Sequence, residues 1–294
     1  MCSPVRPTLP HYGNVTGSLF LVATPIGNLE DITFRAVRTL KEADLIACED
    51  TRHTRRLLDH YGIDKPTISY HEHNESGRSE SLVERMRSGA NVALVSDAGT
   101  PLISDPGYRL VKAAVEAGIR IIPIPGPSAI LAALTASGLP TDAFYFGGFV
   151  SQKQGARRKS LQALANLDCA LVFYEAPHRI LETLQDIAEI YGDREIVLTR
   201  ELTKLHEEFL RGPALALFRN LKDRDSVKGE ITLVIGKPAA KPADERPVAE
   251  AFDEYIAQGL SRMDAIKAVA KDRGVSKRVI YSSLEELRPA KNPG

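Results

Sequence analysis

From residue 18 to about residue 138, short apolar runs alternate with longer amphipathic stretches. The runs 18–23, 44–48, 91–96 and 120–123 read as strands. Val92-Ala93-Leu94-Val95 is apolar at every position, the pattern of a strand covered on both faces. Between the runs, 33–43, 51–61, 79–88 and 108–117 carry helical spacing. Strands alternating with helices predict crossover units and a mostly parallel sheet. A second series starts near Phe144, with strands at 170–174, 195–199, 206–211 and 230–235 and helices at 157–166, 178–191 and 214–221. Its strands lie closer together, which predicts a mixed sheet with antiparallel pairs.

Punctuation divides the chain. Gly138-Leu139-Pro140-Thr141-Asp142 is turn-rich and separates the two series. Residues 237–247 are polar and proline-rich, a linker composition. Beyond them 248–258, 261–272 and 276–286 read as short helices, with Gly259 and Gly274 between them and Ser261 and Ser276 as N-caps. The expected organisation is α/β. A disordered tail (1–16) precedes an N-terminal α/β subdomain (17–138) and a second one (139–236). A linker (237–247) then leads to a C-terminal three-helix module (248–294).

Composition narrows the functional classes only a little. The chain has 294 residues, enough for a large core, and its 38 basic residues balance 38 acidic ones. A protein that held nucleic acid by charge alone would be basic, so any such contact must come from local patches. Small-molecule metabolism fits the same balance. No run of eighteen apolar residues exists to span a membrane. Residues 1–16 hold three prolines and no apolar signal-peptide core. Cys2, Cys48 and Cys169 lack metal-type spacing, and their odd, sparse count points to a reducing cytoplasm.

Ligands of open α/β sheets bind beyond the carboxyl ends of the strands, and the unusual residues collect there. The first strand runs into Thr24-Pro25-Ile26-Gly27-Asn28, whose single glycine excludes dinucleotide and phosphate loops. It is either a tight turn or a ligand contact of another kind. Residues 96–107, SDAGTPLISDPG, combine two aspartates, two prolines and two glycines. Such a rigid, irregular path presents backbone groups and a carboxylate, and Asp97 suits a cation or a hydroxyl. The alternative is that both aspartates only shape the turn. Pro125-Gly126-Pro127-Ser128-Ala129 opens a helix N-terminus toward a polar ligand, or is an ordinary turn. Glu175, His178 and Arg179 close one later strand, and Arg200, Glu201, Lys204 and Glu207 close the next. These are either solvated charges or a polar wall. His71-Glu72-His73 has no third histidine nearby, so no metal is expected.

Taken in order, TPIGNLEDIT (24–33), ACEDTRHTRRLL (47–58), SDAGTPLISDPG (96–107), PGPSA (125–129), YEAPHR (174–179), RELTKLHEE (200–208) and GEITLVI (229–235) resemble one family. It is the ribosomal RNA small-subunit methyltransferase I group, a branch of the tetrapyrrole (corrin/porphyrin) methylases. The resemblance runs from about Gly17 to Glu286 and implies two α/β subdomains with S-adenosylmethionine in the cleft between them, and a homodimer. It implies 2′-O-methylation of a cytidine in the decoding region of 16S RNA, within the small ribosomal subunit. Carried onto this sequence, the cofactor contacts are Pro25, Asp97, Gly99, Thr100, Leu102, Ile103, Ser104, Pro127, Ser128, Ala129, Gly229, Glu230, Ile231 and Thr232. Tetrapyrrole-acting members usually carry a glycine-rich loop with an aspartate at the first loop, and Thr24–Asn28 departs from it.

A ribose hydroxyl needs its proton drawn off, or its developing charge stabilised, as it is methylated. Lys204 and Glu175 are the candidates for that role. Local basic patches offer phosphate contacts: Arg52, Arg55 and Arg56; Arg157, Arg158 and Lys159; Arg179 and Arg200; and Lys277 and Arg278 in the tail. The tail has helix-turn-helix spacing, and either binds RNA or only packs. Two other readings stand beside this one. One is a tetrapyrrole or other small-substrate methylase of the same fold; the other is a nucleic-acid-binding regulator built on the C-terminal helices.

Overall fold

The computed structural model describes residues 16–238 and 246–286. The expected disordered tail (1–16), most of the linker and the last eight residues therefore lie outside the described residues, save Thr16. The chain forms two compact units, Met1–Lys237 and Pro238–Gly294.

The first unit contains two five-stranded sheets. The first is built from β1 (Ser18–Val22), β2 (Leu45–Cys48), β3 (Thr67–Ser69), β4 (Val92–Val95) and β5 (Arg120–Ile124). Their order is β3-β2-β4-β1-β5 and every pair is parallel. The connecting helices are α1 (Phe34–Glu42), α2 (Thr51–His60), α3 (Glu75–Arg87) and α4 (Tyr108–Glu116). Alternate strand side chains feed two cores. Ala93 and Val95 join Ala36 and Leu40 of α1 and Leu58 of α2 on one face. Val92 and Leu94 join Leu82 and Met86 of α3 and Leu110 and Ala114 of α4 on the other. The neighbouring strands β1 and β4 thus send their helices to opposite faces, which opens a crevice at their carboxyl ends.

The second sheet holds β6 (Phe144–Phe149), β7 (Ala170–Glu175), β8 (Glu195–Arg200), β9 (Glu208–Pro213) and β10 (Ile231–Ile235). Its order is β6-β7-β10-β8-β9, with β6 parallel to β7 and the other pairs antiparallel, the mixed sheet expected. Helices α6 (Gln154–Leu164), α7 (Ile180–Tyr191) and α8 (Ala214–Lys222) cover one face through Leu161, Ile180, Leu184 and Leu217. The other face is covered by α5 (Ala129–Ser137) through Ile130, Ala133 and Leu134, together with Ile26 of the first loop. Helix α5 precedes the turn at Gly138, yet it packs on the second sheet. The two halves therefore interlock across the boundary expected at residues 138/139.

Among the element boundaries that moved, two have local reasons. Helix α3 starts at Glu75, four residues early, because the Ser79 hydroxyl bonds back to the Glu75 carbonyl at 2.6 Å inside the helix and does not cap it. Strand β9 starts at Glu208, because residues 201–207 are spent on a tight turn in which Glu207 accepts from the Thr203 amide at 2.7 Å.

In the second unit, α9 (Val248–Ala257), α10 (Arg262–Asp272) and α11 (Lys277–Glu286) share a core of Ala251, Ile266, Val269, Ala270, Ile280 and Leu284. Ser261 caps α10, accepting from the Asp264 amide at 3.2 Å.

Candidate active site between the two sheets

The loops at the carboxyl edge of the first sheet are tied to one another. Thr24 and Gly99 exchange both backbone hydrogen bonds, at 2.9 and 3.0 Å, joining the loops after β1 and β4. The Thr24 hydroxyl donates to the Ser96 carbonyl at 3.1 Å, and the Thr100 hydroxyl to the Pro127 carbonyl at 3.3 Å. The Asp50 amide donates to Asp97 Oδ1 at 3.1 Å, which brings in the loop after β2. Ser128 caps α5. Within the loop after β4, Leu102 (φ 72°) and Ser104 (φ 66°) hold left-handed conformations, which cost on the order of 1–3 kcal/mol each.

The facing edge belongs to the second sheet, where β7 ends and the antiparallel β10 begins. Ile231 pairs with Glu175 and with Arg200, and Thr232 pairs with Tyr174. Gly229 (φ 94°) precedes this start, and a Cβ there would lie 2.4 Å from Glu201 Cγ, so the position admits only glycine.

Between the two edges lies a cavity of about 420 Å³, within the range of small-molecule sites. Asp97, Gly99, Thr100, Ile103, Ser104, Ser128 and Ala129 line it from the first sheet, and Gly229, Glu230, Ile231 and Thr232 from the second. Glu175 also lines it. Pro25, Leu102 and Pro127, expected beside them, do not. The Leu102 side chain packs into the core beside Leu94, and Pro127 contributes its carbonyl to the Thr100 bond. Lining residues that were not among the expected contacts include Ile26, Asp105, Phe149 and Tyr174. Three of these stand at or just beyond strand ends, and that position was the available signal.

Charges in the two edges are handled differently. Glu175 is 2% exposed, and its carboxylate accepts from the Ala176 amide (2.7 Å), Arg179 Nε (3.0 Å) and the Thr183 hydroxyl (2.5 Å). Three of its roughly four acceptor sites are therefore taken by the protein itself. Those bonds hold the turn after β7 in place, while the side chain still lines the cavity. Lys204 lays its stem over Gly27 and bonds Glu201 Oε1 (2.9 Å) and Glu230 Oε2 (3.0 Å). Burial works against its charge, but these two carboxylates outweigh it and hold the ammonium above the ordinary lysine range. Burial first and then the Glu49 charge push Asp105 up to about 6, with Asp97 adding less and the Ser96 hydroxyl opposing the rise. Burial, then Asp105 and Glu230, push the Tyr174 phenol up to about 12.

Several expected phosphate contacts are otherwise engaged. Arg157 is wholly buried, with Nε 2.6 Å from Asp186 and a second contact to Glu182, so it is a core ion pair and not a surface contact. Arg179 is spent on Glu175, and Arg200 on Glu208 at 2.9 Å. Arg158 divides between Asp186 and Glu189. Arg52 pairs with Asp50 but stays outward, and Arg55 pairs with Asp59. Arg56, Lys159, Lys277 and Arg278 are exposed and make no ion pair among the described residues. His71 and His73 stack edge to face, and His71 meets the Asn74 amide.

Comparison with known proteins places this architecture. The family model for tetrapyrrole (corrin/porphyrin) methylases matches residues 18–217. A Ribosomal RNA small subunit methyltransferase I of Halalkalibacterium halodurans is 48% identical over 272 residues, 90% of this chain and 94% of that one. The chain belongs to the tetrapyrrole methylase family, in its ribosomal RNA small subunit methyltransferase I branch. It is a methyltransferase. A relative of the same description in Mesorhizobium japonicum is 47% identical over 99% of this chain and 97% of its own. Among solved structures, a uroporphyrin-III C-methyltransferase of Thermus thermophilus complexed with S-adenosylhomocysteine shares the fold at a TM-score of 0.54. The two chains are 19% identical, over 75% of this chain and 97% of that one. The cavity of this methyltransferase has a floor of backbone and small side chains, carboxylates at its edge and an aromatic pair at Phe149 and Tyr174 with ring centroids 5.4 Å apart. That donor set fits a nucleoside carrying an amino-acid tail: polar backbone for its hydrogen bonds, carboxylates for its cations, flat apolar surface for its ring.

Proposed function

We propose that this chain transfers the methyl group of S-adenosylmethionine to the ribose 2′-hydroxyl of a cytidine in the decoding region of 16S ribosomal RNA. The observation that carries this reading is the 47% identity that continues over 99% of the chain, through α9–α11, with a relative described as acting on small-subunit ribosomal RNA. The tetrapyrrole methylase model, by contrast, ends at residue 217. Bound in the cavity, S-adenosylmethionine supplies a methyl carbon made electrophilic by its sulfonium sulfur. Thr100, Ile103, Ser104 and the start of β10 would hold its polar edges, with Asp97 and Glu230 available to its positive charge. Holding the reacting atoms in line is worth on the order of 7–11 kcal/mol in favourable cases. Lys204, charged and beside Glu230, stabilises the oxygen as its proton leaves. Arg56, Lys159, Lys277 and Arg278 are free to meet phosphates, and Arg52 is exposed enough to exchange partners.

The proposed partners are the small ribosomal subunit and a second copy of the chain. Phe34 and Leu205, 97% and 93% exposed, are surfaces such a copy could cover. Among the described residues no helix is long and apolar enough to cross a membrane, and the proposed site of action is the cytoplasm, where ribosomes lie. The test supplies labelled S-adenosylmethionine with assembled small subunits, naked small-subunit RNA or uroporphyrinogen. Label on RNA whose phosphodiester then resists alkali supports the reading; label on uroporphyrinogen alone overturns it.

A further inference from the structure

The cavity holds four carboxylates: Asp97, Asp105, Glu175 and Glu230. Three are committed. Glu175 accepts from three donors, Glu230 is paired with Lys204, and Asp97 accepts from the Asp50 amide. Asp105 alone of the four has no cation beside it and no backbone donor among the described residues. It follows the left-handed Ser104 and precedes Pro106, so the strained part of the loop ends in this side chain at the cavity wall. Across from it, the Tyr174 hydroxyl makes no hydrogen bond among the described residues. Resting on the functional reading above, we propose that Asp105 is the catalytic residue that takes the proton of the ribose 2′-hydroxyl.

The transfer balances without another reactant. The O–H pair forms the bond from the 2′-oxygen to the methyl carbon as the proton passes to an Asp105 carboxylate oxygen. The carbon–sulfur bond breaks with its pair staying on sulfur, and S-adenosylhomocysteine leaves. The protonated Asp105 then releases its proton to water.

The surroundings set the strength of this base. Glu49 and Asp97 face Asp105 from the ends of β2 and β4, the Tyr174 phenol faces it from β7, and the Ser96 hydroxyl lies near it while directed at the Ala98 and Gly99 carbonyls. Glu49 is in turn faced by Glu72 and His71. Burial and these like charges leave Asp105 titrating at about 6, so it is ionised at neutral pH yet more basic than an ordinary carboxylate, as a general base near its working pH requires.

The experiment measures single-turnover methyl transfer to small subunits across pH 5–9, for wild type, D105N and D105E. S-adenosylhomocysteine affinity is measured separately by calorimetry. Wild type is expected to lose rate below about pH 6. D105N should be slower by about a hundredfold, keep its donor affinity within threefold and lack that acid limb, while D105E regains part of the rate. The inference is overturned if D105N works within threefold of wild type, keeps the acid limb, or loses rate only in proportion to lost donor affinity. Wild type that leaves no alkali-resistant nucleotide overturns the functional reading itself, whereas an active wild type beside an equally active D105N overturns only this inference.

Discussion

The two edges of the cavity present carboxylates in opposite conditions. The second sheet's edge is crowded with charge, but that charge is internally paired: Glu175 with Arg179, Lys204 with Glu201 and Glu230, Glu208 with Arg200 and Arg224. The first sheet's edge has fewer charges, and its loop is strained at Leu102 and Ser104, with Asp105 left unpaired at its end. A dense run of ionisable residues in sequence therefore signals structural pairing as readily as chemistry. Availability depends on which donors and acceptors remain unmatched after folding, and a strained, sparsely charged loop is where they remain.

The largest test of this contrast lies in the second half's buried network. Arg157 and Asp186 are 0% and 1% exposed, and removing one leaves the other charge uncompensated. Arg157→Ala should destabilise the first unit by about 3–5 kcal/mol, toward the lower figure because Arg158 still reaches Asp186. A shift in urea midpoint at constant slope reads this. A change under about 1 kcal/mol would mean that the pairing is not structural, and the contrast would fail on that side.

The two edges should also respond oppositely to pH. Arg224 and Arg200 hold Glu208 down at about 2. A carboxylate depressed in the folded state adds stability at neutral pH, and that stability is lost as pH falls from about 4.3 toward about 2. Asp105 is raised instead, to about 6. Its folded form resists ionisation, so it lowers stability fully above about pH 6 and not at all below about pH 4. At pH 7.5, E208Q should lose and D105N should gain on the order of 1–2 kcal/mol, after allowance for partial exposure. At pH 4 the D105N gain should be gone. Chemical denaturation at the two pH values checks both signs, and a D105N protein no more stable at pH 7.5 would contradict the unpaired state of Asp105.

Much of this was legible before the structure. Val92–Val95 and its companions are continuous apolar runs, and they became the buried parallel strands that such runs predict. The loop at 96–107 carried its own signal in two aspartates, two prolines and two glycines. What escaped was set by direction and partnership. The rule that sites lie beyond strand carboxyl ends cannot find Gly229–Thr232 by itself, because β10 runs antiparallel and brings its start to the cavity. Only the family resemblance pointed there. Arg157 reads like its neighbours Arg158 and Lys159, and no local pattern reveals that Asp186, on a different helix, waits to bury it. Tyr174 stands one residue before the conspicuous Glu175, and β-strand alternation is too short at a strand end to say which of them faces a ligand.

A smaller effect is expected at Lys204, which spans both edges by lying over Gly27 of one and bonding Glu230 of the other. If it stabilises the oxygen in the transition state, Lys204→Ala should lower the single-turnover rate about tenfold, or about 1.4 kcal/mol, with Arg at this position restoring part of it. If it only ties the two edges together, donor affinity should fall in step with rate. Normal turnover on intact small subunits would remove Lys204 from the mechanism.

The smallest effect extends the comparison to the cations. Arg157, Arg179 and Arg200 are spent inside the protein, whereas Lys277 and Arg278 are exposed on α11 with no ion pair among the described residues. If availability and not density marks function, the exposed pair should carry the salt-dependent part of RNA binding. Each phosphate contact contributes about 0.7–0.9 to the slope of log affinity against log salt. Lys277→Ala with Arg278→Ala should flatten that slope by one to two units, weaken binding to matched and unmatched RNA alike, and leave the rate at saturating subunits unchanged. Titration of small subunits at several salt concentrations measures it. An unchanged slope would assign α9–α11 to packing, and would leave Arg56 and Lys159 as the free cations to test next.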